Sequence, residues 1–89
     1  MSEIKVSKPS EDELKALEIK QWHPWECEPS SFDWSYINTE TCYIQEGKAK
    51  VTTADGEVEF GKGNLVEFPR GLKCKWEVIE KIKKVYKFS

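Results

Sequence analysis

From residue 73 to residue 78, Cys74, Trp76 and Val78 alternate with Lys73, Lys75 and Glu77, the period of two that marks a strand with one buried and one wet face. The same alternation in "FDWSYI" sets Phe32, Trp34 and Tyr36 on one face and Asp33, Ser35 and Ile37 on the other. "ETCYIQEGKAKVTT" carries a strand on each side of Gly47, with Glu40, Cys42 and Ile44 sharing a face. Short strands are also expected in "EVEF", "NLVEF" and the terminal "IKKVYKF", separated by the turn signals "ADG", "GKG" and "PRG". Only one segment changes period. Ser10 and Glu13 form a capping-box pattern ahead of Leu14 and Leu17, which predicts a helix of about two turns over residues 10–18. One short helix and many closely spaced strands predict an all-β sandwich or barrel.

The length of 89 residues suits one small domain, expected as an N-terminal arm and helix over residues 1–20 and a barrel over residues 21–89. Four Trp, four Phe and three Tyr are a heavy aromatic load that strands accommodate well. Charged residues make up 34% of the chain, yet the net charge is only -2, so the basic footprint that nucleic acid requires is missing. No apolar run approaches the ~18 residues that span a bilayer, and the N-terminus lacks the pattern of a secretory signal. A cytoplasmic protein with no membrane partner is the expectation. Three cysteines without metal-finger spacing fit reduced thiols better than a disulfide framework.

Two segments carry a family resemblance. "ETCYIQEG" resembles the end of the first cupin motif, and "GNLVEFPRGLKC" resembles the second, G-x5-P-x-G-x2-H, with Cys74 in the place of the histidine. "QWHPWEC", "FDW", "FPRGLKCKW" and "KVYKF" are similar to segments of the small single-domain cupins grouped with ureidoglycine aminohydrolase. The resemblance implies a cupin-type double-stranded β-helix, or jelly-roll, barrel with one short N-terminal helix. It also implies a homodimer, as in many small cupins.

Metal-dependent cupins present three histidines and one glutamate from inside the barrel. On this chain the resemblance assigns the glutamate to Glu40, the first two histidine positions to the stretch Asp33 to Tyr36, and the last to Cys74. None is a histidine. The lone histidine, His23, lies outside both motifs. No cofactor is therefore expected, and a divalent metal would have to rely on Glu40, Cys74 and Asp33, below the usual set of good ligands.

Alternation inside such a barrel gathers Glu40, Cys42 and Cys74, walled by Trp34, Tyr36 and Trp76; these six are the candidate ligand-binding residues. Glu40, Cys42 and Cys74 are also the candidate catalytic residues, a thiol assisted by a carboxylate. Against that role, a carboxylate neighbour raises a thiol's pKa, and free cysteines usually act as small buried hydrophobes. A Cys42 to Cys74 bridge is a further alternative. Glu40 is either paired with a Lys, an Arg or a tyrosine hydroxyl, or left unpaired as an acid or base. Trp22, Trp25, Trp34 and Trp76 could stack a planar or cationic ligand. Arg70, in the "PRG" turn, could steer an anion, and Cys27 matches no motif.

Three functions follow. The first is a small-molecule-binding monocupin that has lost the metal-binding histidines. The second is an enzyme acting on a nitrogenous or carbonyl compound through Glu40 and Cys74 or Cys42, with or without a weakly held metal. The third is a protein-interaction module that docks through aromatics near Trp22 and Trp25.

Overall fold

The computed structural model describes residues 4–88; residues 1–3 and 89 of the expected arm and barrel lie outside that range. Two strands dominate the architecture. β4 runs from Glu40 to Thr53 and β7 from Lys73 to Phe88, and they pair antiparallel along most of their length. Each is flanked on its far side by two short strands laid end to end. β5 (Gly56–Gly61) and β6 (Leu65–Phe68) follow β4, while β2 (His23–Cys27) and β3 (Ser30–Ser35) follow β7. β1 (Lys5–Ser7) pairs with β6 and completes seven antiparallel strands.

Sequence patterning expected "ETCYIQEG" and "KAKVTT", and likewise "KCKWEVIE" and "IKKVYKF", as separate strands. Each pair is one continuous bent strand. The register of β4 on β7 shifts between Ile44 and Ala49, so the chain bulges there rather than stops. Gly47 makes this possible with φ of 91°. A Cβ at that position would meet the Lys81 carbonyl oxygen and stand 2.7 Å from Ile82 Cα, so only glycine lets β7 pass this closely. The turn after β5 sits on the same corner, since the Lys62 amide donates to the Gly47 carbonyl at 3.1 Å.

The helix forms where the capping box placed it. α1 spans Glu11–Leu17; Ser10 Oγ accepts from the Glu13 amide at 3.2 Å, and Glu13 Oε1 accepts from the Ser10 amide at 3.3 Å. No residue of α1 is buried. The core lies inside the barrel, where Cys42, Ile44, Ala49 and Val51 of β4 meet Cys74, Trp76, Val78 and Ile82 of β7, with Phe60, Val66 and Phe68 closing the other side. No helix among the described residues is long and apolar enough to cross a membrane.

Candidate functional site

Glu40 and Lys84 are the two charged residues buried among those described. They sit on adjacent strands, but the register sets Phe88 opposite Glu40 and Ile44 opposite Lys84. The two side chains therefore reach along the sheet towards each other, over the Cys42–Tyr86 pair between them. Lys84 Nζ donates to Glu40 Oε2 at 2.8 Å, with both side chains 6% exposed. Removing two charges from water is costly, and the geometry offsets that cost in two ways. The carboxylate neutralises the ammonium, and aromatic faces surround it. Nζ lies 4.8 Å from the Trp25 ring centre, 4.7 Å from Trp76 and 5.7 Å from Tyr86. Trp25 is in place because β2 pairs it directly with Lys84.

The pair lines the inner part of a cavity of ≈160 Å³ that is otherwise aromatic. Phe32 stacks on Trp76 with the planes 5° apart, and Trp25 meets Trp76 edge-on. Tyr36 is fixed from two sides. Its backbone exchanges hydrogen bonds with the "PRG" turn, accepting from the Gly71 amide at 2.7 Å and donating to the Leu72 carbonyl at 2.8 Å. Gly71 allows that turn with φ of 87°. The Tyr36 hydroxyl accepts from Trp76 Nε1 at 3.0 Å. Burial and the nearby Glu40 carboxylate push this hydroxyl far above the usual tyrosine range, so it stays a donor. Trp34 and Phe88, 50% and 52% exposed, flank the opening.

Of the six residues expected to bind a ligand, Trp34, Tyr36, Glu40 and Trp76 line the cavity. Cys42 and Cys74 do not. Cys42 is fully buried beneath the ion pair, and burial pushes its thiol up to about 12 despite the opposing effect of Lys84. Cys74 donates its Sγ proton to the Trp34 carbonyl at 3.7 Å, and burial followed by Glu40 pushes its thiol up to about 11. Both are held as neutral thiols, the reverse of what a nucleophile needs. All three cysteines are free, so Cys42 and Cys74 form no bridge.

Among the described residues, no three of His, Cys, Asp and Glu converge as a metal would require. Asp33 is exposed, and His23 is exposed on β2 beside the Tyr86 ring. Glu40, the one matched ligand, has the Lys84 ammonium on its carboxylate, where a metal cation would otherwise have to bind.

Other expectations also change. The aromatic cage around Lys84 is filled by the protein's own cation, so Trp25 and Trp76 are not free to enclose a cationic ligand. Trp22 is buried, and Trp25 is half-buried and packed against the core. Arg70 is exposed and outside the cavity lining.

Sequence reasoning missed Lys84, Phe32, Tyr86 and Phe88 as lining residues. A signal for three of them was present. In "IKKVYKF" the inward positions read Ile82, Lys84, Tyr86, Phe88, and a lysine in the middle of an apolar face calls for an internal anion.

The family model for the EutQ-like cupin domain matches residues 14–86. The chain belongs to this EutQ-like cupin family. The domain is 49% identical to a DUF861 family protein from Thermotoga maritima, with 98% of this chain and 100% of that chain covered and a TM-score of 0.95. It is also similar to the Clostridium difficile EutQ protein, at 24% identity and a TM-score of 0.66, covering 71% of this chain and 50% of that one. A putative ethanolamine utilization protein Q from Salmonella typhimurium gives 15% identity and a TM-score of 0.68, covering 73% and 53%. The last two likenesses concern the fold alone, and this cupin domain spans about half the length of those proteins. No curated protein matches the chain. The seven-stranded barrel is thus a cupin barrel, as the two motif segments led one to expect.

Proposed function

We propose that this cupin domain binds a small, largely apolar molecule in the cavity, with the molecule's one polar end against the Glu40–Lys84 pair. The observation that carries the reading is an aromatic cavity of ≈160 Å³ with a single buried ion pair in its lining. Small-molecule sites are mostly apolar with a few convergent polar groups. A dry cavity of about 150 Å³ accepts a molecule of benzene size, which sets the scale of the ligand.

We infer that the resemblance to the ureidoglycine aminohydrolase group is one of frame alone. The donor set around Glu40 gives no support for carrying over metal-assisted chemistry, and the neutral thiols give none for cysteine catalysis. A cytoplasmic homodimer belongs to the same reading. Val6 and Leu17 are exposed, and among the described residues β1 stands at one end of the strand order, paired only with β6. Light scattering that returned a monomer mass would remove the dimer.

Thermal melting against benzyl alcohol, phenol and small ketones tests the binding. A ligand at 100 times its Kd is expected to stabilise the fold by about 2.7 kcal/mol. The shift should vanish in a Glu40→Leu/Lys84→Met double variant. No shift with any compound of this size would sink the proposal.

A further inference from the structure

We propose that Lys84 captures small aldehydes and ketones as a protonated imine, with Glu40 moving the protons. This rests on the reading of the cavity as a small-molecule site and adds a reaction to it. A lysine amine adds to carbonyl carbon once a neighbouring base has taken its proton, and a carboxylate within hydrogen-bond reach is such a base. Lys84 is the one lysine in the cavity lining; its side chain is 6% exposed, and its Nζ lies over the Trp25 and Trp76 faces.

The ammonium must first give up a proton, and Glu40 Oε2 is the acceptor at 2.8 Å. The freed Nζ lone pair then bonds to the carbonyl carbon while the π electrons move to oxygen. Glu40 returns its proton to that oxygen and next takes one from the nitrogen. It delivers this second proton to the hydroxyl as the C–O bond breaks and water leaves. One carbonyl compound and one ammonium yield one protonated imine and one water, with no change of oxidation state.

The charge balance favours this route. Before and after the reaction the cavity holds one cation on Nζ and one carboxylate on Glu40, so no unpaired buried charge is created. The cation also stays within the aromatic cage. The Tyr36 hydroxyl, held on the Nε1 edge of the same Trp76 whose face carries Nζ, is the donor available to a carbonyl oxygen.

The test uses the full chain, benzaldehyde and sodium cyanoborohydride, with adducts located by peptide mass spectrometry. Lys84 is expected to be benzylated ahead of Lys83 and Lys87, although both are more exposed. Accessibility alone gives the opposite order. Glu40→Gln is expected to slow labelling of position 84 by roughly a hundredfold, the range for loss of a general acid and base. Lys84→Arg keeps a cation beside Glu40 and cannot form an imine; it should fold and leave labelling to exposed lysines such as Lys75 and Lys87. Benzyl alcohol, which has the same shape and no carbonyl, separates the two proposals. If it raises the melting temperature while Lys84 stays unlabelled, the imine chemistry is wrong and the binding site stands. If neither compound shifts melting and Lys84 stays unlabelled, both fall.

Discussion

Lys84 Nζ lies 2.8 Å from Glu40 Oε2 inside a barrel whose other inward side chains are apolar or aromatic. The seven other ion pairs among the described residues have at least one partner about half exposed, as in Lys48–Glu59 and Lys83–Glu26, and such pairs are worth little. The buried pair differs in kind. Each charge is tolerated only because the other is present, so the two residues act as a unit.

Removing one partner is therefore expected to cost more than removing both. Glu40→Leu or Lys84→Met alone leaves a charge stranded among aromatic rings and should cost about 3–5 kcal/mol in urea unfolding. The Glu40→Leu/Lys84→Met double variant should lie closer to the wild type than either single variant. Additive losses would show that the two side chains are not coupled.

The hydrogen bond from Trp76 Nε1 to Tyr36 Oη is a second buried polar contact. Tyr36→Phe deletes the acceptor and leaves a buried indole N–H without one, at an expected cost of about 1–3 kcal/mol. Trp34→Ala, at the half-exposed cavity opening, should cost less than Tyr36→Phe. The reverse ranking in chemical denaturation would remove the structural role given to Tyr36.

Much of this frame was legible in the residues. Period-two alternation identified Glu40, Cys42, Ile44, Cys74, Trp76 and Val78 as inward, because alternation reports which face is dry. Ser10 and Glu13 located the helix, since a cap is a local interaction. What escaped was long-range. That β4 continues through Gly47 depends on how near Lys81 and Ile82 come to it, and no local pattern encodes that approach. Glu40 needed a partner, and Lys84, 44 residues away, becomes one only through the register of β4 on β7. The motif likeness directed attention to Cys74, a histidine's place, and away from Lys84, which no metal motif includes.

The cysteines should divide by accessibility and pH. Cys27 is half-buried near the surface, and it alone is expected to react with a disulfide reagent near neutral pH, with three thiols reacting after denaturation. Fast modification of Cys42 or Cys74 in the folded protein would contradict the packing. The same thiols make the fold alkali-sensitive. Their folded pKa values, about 12 and about 11, stand above the ordinary 9.0, so the unfolded chain loses these protons first as pH rises. The stabilisation from keeping them neutral is complete below pH 9 and declines from there to about pH 12. Cys42→Ala should flatten that decline in urea titrations at several pH values, whatever it costs at neutral pH.

Gly47 and Gly63 separate backbone strain from collision. Their φ values are 91° and 90°, so a side chain at either meets the same left-handed penalty. Around Gly63 an added Cβ meets nothing within 4 Å, whereas at Gly47 it runs into the Lys81 carbonyl and Ile82 Cα. Gly63→Ala should therefore cost only the conformational term, about 1–2 kcal/mol. Gly47→Ala should cost a further ~1–3 kcal/mol from overpacking, since the obstructing atoms are backbone and cannot swing away. It should also push β7 off the bulge that aligns Lys84 with Glu40. Equal losses in the two variants, measured by denaturant unfolding, would mean that β4 and β7 are not pressed together at this corner.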